Sequence, residues 1–205
     1  MTELNRKDTR RRGMKAVGVL GSPRKRGNTA LLLERTLEVL GRDMETELIP
    51  LADYNIKPCT SCLACVETAE CIIKDDMTEV YQKLMEATAI VLASPSYFGS
   101  VTAQMKTFMD RTWPLRNGKL KNKVGGSIVV GRRYVENTLV TLNTFLLRHG
   151  VILGHRGVLG YAFEKGEITN DREAFETAHG LGERIQELAY FVNRSDEQRK
   201  ERITH

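Results

Sequence analysis

The sequence predicts an α/β protein built on a doubly wound, five-stranded parallel sheet, and three observations carry that prediction. Short Val-rich runs without polar alternation recur along the chain, as expected of strands buried on both faces. Between them lie segments whose apolar residues step by three and four, the period of an amphipathic helix. The two kinds alternate, which implies βαβ units and a sheet covered on both sides.

The elements follow in order. "KAVGVLG", Lys15 to Gly21, is the first strand. Asn28 to Leu40 is a helix carrying Ala30, Leu33, Leu37 and Leu40 on one face, closed by Gly41. "ETELIPL", Glu45 to Leu51, is the second strand, followed by a cysteine-rich connection long enough to be an insertion. A helix starts near Asp76 or Met77, and "TAIVLASP" is the third strand, stopped by Pro95. Val101, Met105, Phe108 and Met109 mark the next helix, and "VGGSIVVG", Val124 to Gly131, the fourth strand. Asn137 to His149 is apolar on nearly every side, so it reads as a buried or interface helix. "VILGHRGVLGYA" holds the fifth strand, and Ala178, Leu181, Ile185, Leu188 and Val192 define the last helix.

The 205 residues suffice for one well-buried domain with one insertion. Apolar content of 41% and charged content of 28% are ordinary for a globular chain. Residues 1–13 read as a disordered basic tail, 14–194 as the domain, with 59–71 as its inserted loop, and 195–205 as a polar C-terminal tail. Part of the +5 net charge lies in Arg6 to Arg12; a solvated tail is the plainest reading, with no nucleic-acid or membrane partner expected. No run approaches the roughly 18 apolar residues of a membrane span. The N-terminus shows no secretory apolar region, so the chain is expected in the cytoplasm, where thiols stay reduced. That disfavours disulfides and leaves a metal or redox role for the cysteines.

In a doubly wound sheet, ligands bind outside the carboxyl ends of the strands. The loop after strand one, "GSPRKRGNT" (Gly21 to Thr29), enters a helix N-terminus with its free N–H groups and positive dipole end. Ser22, Asn28 and Thr29 add side-chain donors, Arg24 adds charge, and Gly21 and Gly27 permit a tight turn. This is an anion site suited to a single terminal phosphate. It is not a Walker A loop, because the glycines stand one residue too far apart and the Lys is missing. The G-x-G-x-x-G dinucleotide fingerprint is also absent. After strand three, "SPSYFGSVTAQMKTFMDR" places Tyr97 and Phe98 in a loop ahead of Gly99, where aromatics suit a flat ring.

Together, these two loops resemble the NADPH-dependent FMN reductase family of flavodoxin-like proteins, and the resemblance runs from about Lys15 through the last helix. It implies that Ser22, Arg24, Asn28 and Thr29 hold the FMN phosphate, with Gly27 turning the backbone beside them. Pro95, Ser96, Tyr97, Phe98 and Gly99 would line the ribityl chain and the isoalloxazine ring. Gly131, Arg132 and Arg133 would close the other edge, where this chain has "GRRYVEN" in place of the family's glycine-rich stretch.

All four cysteines sit in "CTSCLACVETAEC", spaced Cys59-x2-Cys62-x2-Cys65-x5-Cys71. Zinc sites usually draw pairs from separated segments. A compact triple with one more cysteine is the pattern of a [4Fe–4S] cluster, close to the ferredoxin run but with a longer last gap and no Pro after it. Zinc, redox-active thiols and free thiols stay open as alternatives. The spacing also matches the iron–sulfur flavoproteins, a branch of the same family in which "P-C-x-x-C-x-x-C" follows strand two, as it does here from Pro58. Membership would imply FMN, one [4Fe–4S] cluster per subunit and a homodimer or larger homo-oligomer. The chain would be an oxidoreductase passing electrons between NAD(P)H or ferredoxin and an acceptor. The alternative is a plain FMN or quinone-type reductase, or a pure electron carrier. His149, His155, His179 and His205 show no ligand spacing, and His149 reads as a capping cation. Asp75 and Asp76 read as helix caps, and Trp113 is expected to pack.

Overall fold

Alternate residues of each central strand face opposite sides of the sheet, and both sides are apolar. The computed structural model describes residues 13–203, so all of the expected basic tail except Gly13 lies outside the described residues. The strands are β1 Lys15–Leu20, β2 Glu45–Pro50, β3 Ala89–Pro95, β4 Val124–Gly131, β5 Ile152–Leu153 and β6 Val158–Tyr161. The helices are α1 Asn28–Leu40, α2 Ala64–Thr68, α3 Met77–Glu86, α4 Ala103–Arg111, α5 Val135–Arg148 and α6 Arg172–Ile203.

The strand order is β2-β1-β3-β4-β5, with β6 also pairing β4, and every pairing is parallel. This is the flavodoxin-like order, whose switch point lies between β1 and β3. Ala16, Leu20, Val91, Ala93, Ile128 and Val130 pack on one side against α1 and α6. Val17, Val19, Ile90, Leu92 and Val129 pack on the other against α3, α4 and α5. The period of two that sends neighbouring residues to opposite faces thus builds two cores from continuous apolar runs.

Two expectations change. The fifth strand is broken: Val124 pairs with Ile152 and Ile128 with Val158, so two more residues separate the latter pair than the former. The extra residues form the turn at "GHRG", held by the Gly157 N–H donating to His155 Nδ1 at 3.0 Å. The last helix does not stop at residue 194 but runs to Ile203. The sequence there is polar yet rich in the strong helix formers Glu, Gln, Arg and Lys, so polarity does not mark a helix end. Helix α5 buries Val135, Thr138, Leu142 and Leu146, while Val140 and Leu147 remain exposed. No helix among the described residues is long and apolar enough to cross a membrane.

Candidate functional site

The first cavity, about 490 Å³, opens at the carboxyl ends of β1, β3 and β4. Its size is within the roughly 300–1,000 Å³ of small-molecule sites. All twelve residues expected to bind the cofactor line it, from Ser22 to Thr29, Pro95 to Gly99, and Gly131 with Arg132.

Backbone geometry explains why three distant loops meet there. The Gly21 N–H donates to the Ala93 carbonyl at 2.7 Å, and the Thr102 hydroxyl donates to the Gly21 carbonyl at 2.6 Å. Thr102 also caps α4 by accepting from the Met105 N–H at 3.2 Å. A Cβ on Gly21 would meet Met105 Cβ at 2.8 Å, so only glycine allows this approach. On the far side, the Ser96 N–H donates to the Val130 carbonyl at 2.8 Å.

The anion end follows from the helix cap. Gly27 caps α1 without a side chain, so no side-chain oxygen takes the first N–H groups. Ser22 Oγ accepts from the Arg24 N–H at 3.1 Å, which folds the loop back over itself. Lys25 turns away to Asp53, 2.5 Å, leaving Arg24 as the cation of this loop that lines the cavity.

The aromatic end rests on a tight turn. Tyr97 and Ser100 exchange backbone hydrogen bonds of 2.9 and 3.1 Å. Between them Phe98 and Gly99 have φ of 51° and 73°, the φ pattern of a type I′ turn. Phe98 is thereby held fully exposed, in a conformation that costs an aromatic residue energy. Tyr134 is likewise left-handed, at 57°, and half or more exposed. The Arg132 guanidinium stands 5.6 Å from the centre of the Phe163 ring. A helix end with one cation at one extremity and aromatic side chains at the other suit a ligand joining an anion to a flat ring.

Three expected residues have further duties. Asn28 lines the cavity, but its side chain bonds the backbone of residues 164 and 166. Ser96 Oγ bonds the Tyr134 carbonyl at 3.2 Å and Thr138 Oγ1 at 2.8 Å, tying the aromatic loop to α5. Gly131 leaves room for Ser96 and Val135, which a Cβ would meet at 3.0 and 2.9 Å. Ala162 and Phe163, which the sequence reading did not single out, enter because β6 ends beside β4. Their run "YAFEKG" has no pattern that would have marked them.

The second cavity, about 850 Å³, is lined by all four cysteines together with side chains of α4 and α5. Cys59 and Cys62 are exposed, Cys65 and Cys71 half-buried, and none is in a disulfide. Ser61, Leu63 and Ala69 adopt left-handed φ, which coils the loop whose four cysteines line this cavity. The Ser61 N–H approaches Cys59 Sγ at 3.4 Å. Burial pushes the Cys65 thiol up, opposed by the Arg116 guanidinium and assisted by the nearby Cys71 and Cys59. Arg116 also donates to the Cys65 and Val66 carbonyls at 3.1 and 3.3 Å, pinning α2. By residue type the set fits a four-thiolate cluster. Among the described residues no three His, Cys, Asp or Glu converge as a metal site.

Around this cavity two minor expectations are corrected. Trp113 does not pack into the core; it is 47% exposed on the rim, with Arg116 above its ring. His149 is no capping cation, because burial pushes its imidazole below the usual histidine range. Its Nε2 meets Thr112 Oγ1 at 3.0 Å, and that hydroxyl donates to the Met109 carbonyl, so Nε2 carries the proton. Asp76 holds the cap position of α3 without a side-chain cap bond; Asp75, one residue earlier, accepts from the Met77 N–H at 3.2 Å and is buried against Arg111.

The family model for NADPH-dependent FMN reductases matches residues 14–161. An iron–sulfur flavoprotein of Methanocaldococcus jannaschii is 40% identical over 88% of this chain and 100% of its own length. An iron–sulfur flavoprotein of Archaeoglobus fulgidus is 39% identical over 90% of this chain and 86% of its own. Among solved structures, that of RosB with a bound intermediate superimposes with a TM-score of 0.71 at 17% identity, covering 94% of this chain and 88% of that one. At that identity the likeness shows the fold.

Proposed function

The chain belongs to the NADPH-dependent FMN reductase family, in its iron–sulfur flavoprotein branch, and from that premise we propose that it holds FMN in the first cavity and a [4Fe–4S] cluster on the four cysteines. As a member it is an oxidoreductase and a flavoprotein. In this reading it passes electrons between a reduced donor, NAD(P)H or ferredoxin, and an acceptor. The observation that carries it is the meeting of twelve residues from three separated loops on one cavity at the strand switch point.

The protein's own residues would divide the work. The first N–H groups of α1, with Arg24 and Ser22, bind and orient the phosphate end. Tyr97, Phe98 and Tyr134 offer aromatic surface to the ring, and Gly99 lets the backbone approach it. Arg132, which lines the cavity beside Phe163, would close the ring's other edge. Cys59, Cys62, Cys65 and Cys71 would supply one thiolate each, with the Ser61 N–H directed at a sulfur. Bound FMN supplies two-electron and one-electron chemistry, and a [4Fe–4S] cluster moves one electron at a time.

The absorption spectrum of anaerobically purified protein tests this reading. Flavin bands over a broad iron–sulfur shoulder, with iron and acid-labile sulfide, are expected. NAD(P)H oxidation by that holoprotein separates an enzyme with its own nucleotide substrate from a carrier fed by ferredoxin. A second reading is a reductase whose cysteines bind zinc or nothing; the lack of a convergent ligand group among the described residues favours free thiols within it. Flavin without iron and sulfide would establish it. The resemblance also implies a homodimer, for which exposed Val140 and Leu147 on α5 offer a contact face; sedimentation gives the mass.

A further inference from the structure

The cysteine loop is closed at its base by one buried ion pair. Arg111, at the end of α4, is 1% exposed, as is its partner Asp75. The guanidinium grips the carboxylate with both arms, Nη1 to Oδ2 at 2.6 Å and Nη2 to Oδ1 at 3.0 Å. The same two nitrogens donate to the carbonyls of Lys57 at 2.6 Å and Ile73 at 3.4 Å. Lys57 lies just before Cys59, and Ile73 just after Cys71. One side chain therefore holds both stems of the loop.

Asp75 completes the ring by accepting from the Lys57 N–H at 2.8 Å and the Met77 N–H at 3.2 Å. Next to it, Asp76 accepts from the Asn55 N–H at 2.6 Å. Tyr81 donates its phenol to the Arg111 carbonyl, fixing the end of α4 from which the guanidinium reaches out. The set spans the incoming stem, the outgoing stem, α3 and α4. Within this set, Arg111 Nε is the buried side-chain atom without a partner.

A charge pair taken out of water offsets its desolvation only when its geometry is good and its remaining donors are used. Here the use made of them is loop closure. We propose that Arg111 and Asp75 are positioning residues: a clasp that holds residues 57–73 closed and keeps the four cysteines on one cavity. Lysine cannot replace Arg111, because a point charge lacks the planar fork that serves two carbonyls and two carboxylate oxygens at once.

The proposal extends the cysteine-loop reading above, but its first test does not need a cluster. Amide hydrogen exchange is measured on full-length, FMN-loaded, metal-free protein, comparing peptides over 57–75 with peptides over β4. Arg111→Met, Arg111→Lys and Asp75→Asn are each expected to accelerate exchange in 57–75 about tenfold or more while β4 changes by less than about twofold. Should Arg111→Met fail to fold, Asp75→Asn preserves the volume and reads the same quantity. Loop exchange at the wild-type rate, or equal acceleration of loop and β4, would overturn the clasp; equal acceleration marks a merely structural pair. Iron uptake from ferrous iron and sulfide, expected about tenfold slower in the variants, is the second readout. Wild-type protein that takes up no iron would sink the cluster reading alone, while the exchange result still decides the clasp.

Discussion

The side-chain amide of Asn28 is held by two backbone groups of a distant loop: Nδ2 donates to the Glu164 carbonyl at 2.7 Å, and Oδ1 accepts from the Gly166 N–H at 2.7 Å. These partners lie 136 and 138 residues further along the chain. The residue therefore fastens the segment after β6 to the phosphate loop, and brings Phe163 to the cavity. Asn28→Ala removes both bonds and leaves two backbone groups less satisfied. It is expected to lower stability by about 1–3 kcal/mol and to weaken FMN binding as the loop loosens. Urea denaturation and flavin fluorescence titration measure the two effects, and an unchanged urea midpoint would show that the clamp carries no stability.

Phe98 is exposed, so its ring contributes nothing to the core, while its left-handed backbone costs about 1–2 kcal/mol. Phe98→Gly removes that strain but raises unfolded-chain entropy by an offsetting amount, about 0.4–1 kcal/mol. The melting temperature is expected to hold or rise slightly, while FMN affinity falls with the lost ring surface. A variant that binds FMN as tightly as wild type would remove Phe98 from the site.

Each cysteine is exposed or half-buried and lies outside the first cavity. Changing Cys59, Cys62, Cys65 or Cys71 to Ala should remove or degrade iron while flavin stays bound. Iron assay and the flavin spectrum, taken on the same preparation, check this. Flavin lost with iron retained would mean the loop is wrongly assigned.

Burial pushes His149 below its ordinary range, opposed by the Leu115 backbone and assisted by Arg148; burial and Arg156 do the same to His155. Both therefore take up a proton less readily in the folded chain than in the unfolded one, where the reference value is about 6.5. Their folded values are depressed, so the stability they contribute is present above about pH 6.5 and is lost as pH falls through their folded values. Urea midpoints should drop between about pH 7.5 and 5.5, and His149→Gln should flatten that drop. A midpoint unaffected by pH in both proteins would contradict this.

Much of the site was legible in the residues because its parts are local. The phosphate loop is one segment between a Val-rich strand and an amphipathic helix, and the aromatic loop follows a proline that ends a strand. Parallel strands then align their carboxyl ends, so loops after β1, β3 and β4 must meet. What stayed hidden has no local pattern. Phe163 stands in a run without periodicity, and Arg111 sits at the end of a helix where a cation usually faces solvent. Asp75 was readable as a cap, but it stands one residue before the cap position, and its main partner is an arginine 36 residues away.

The sequence by itself determined the alternation of strands and helices, the two faces of the sheet, the glycine-led helix start after β1 and the grouping of four thiols. Each of these is a periodicity or a spacing over a few residues, and backbone geometry converts such patterns directly into structure. Only the tertiary structure decided the break in the fifth strand, the reach of Asn28 to Gly166 and the closure of the cysteine loop by Arg111 and Asp75. Those depend on which buried polar groups find one another once the chain has folded. Burial makes an unpaired donor or acceptor costly, but the partner that satisfies it can come from anywhere in the chain.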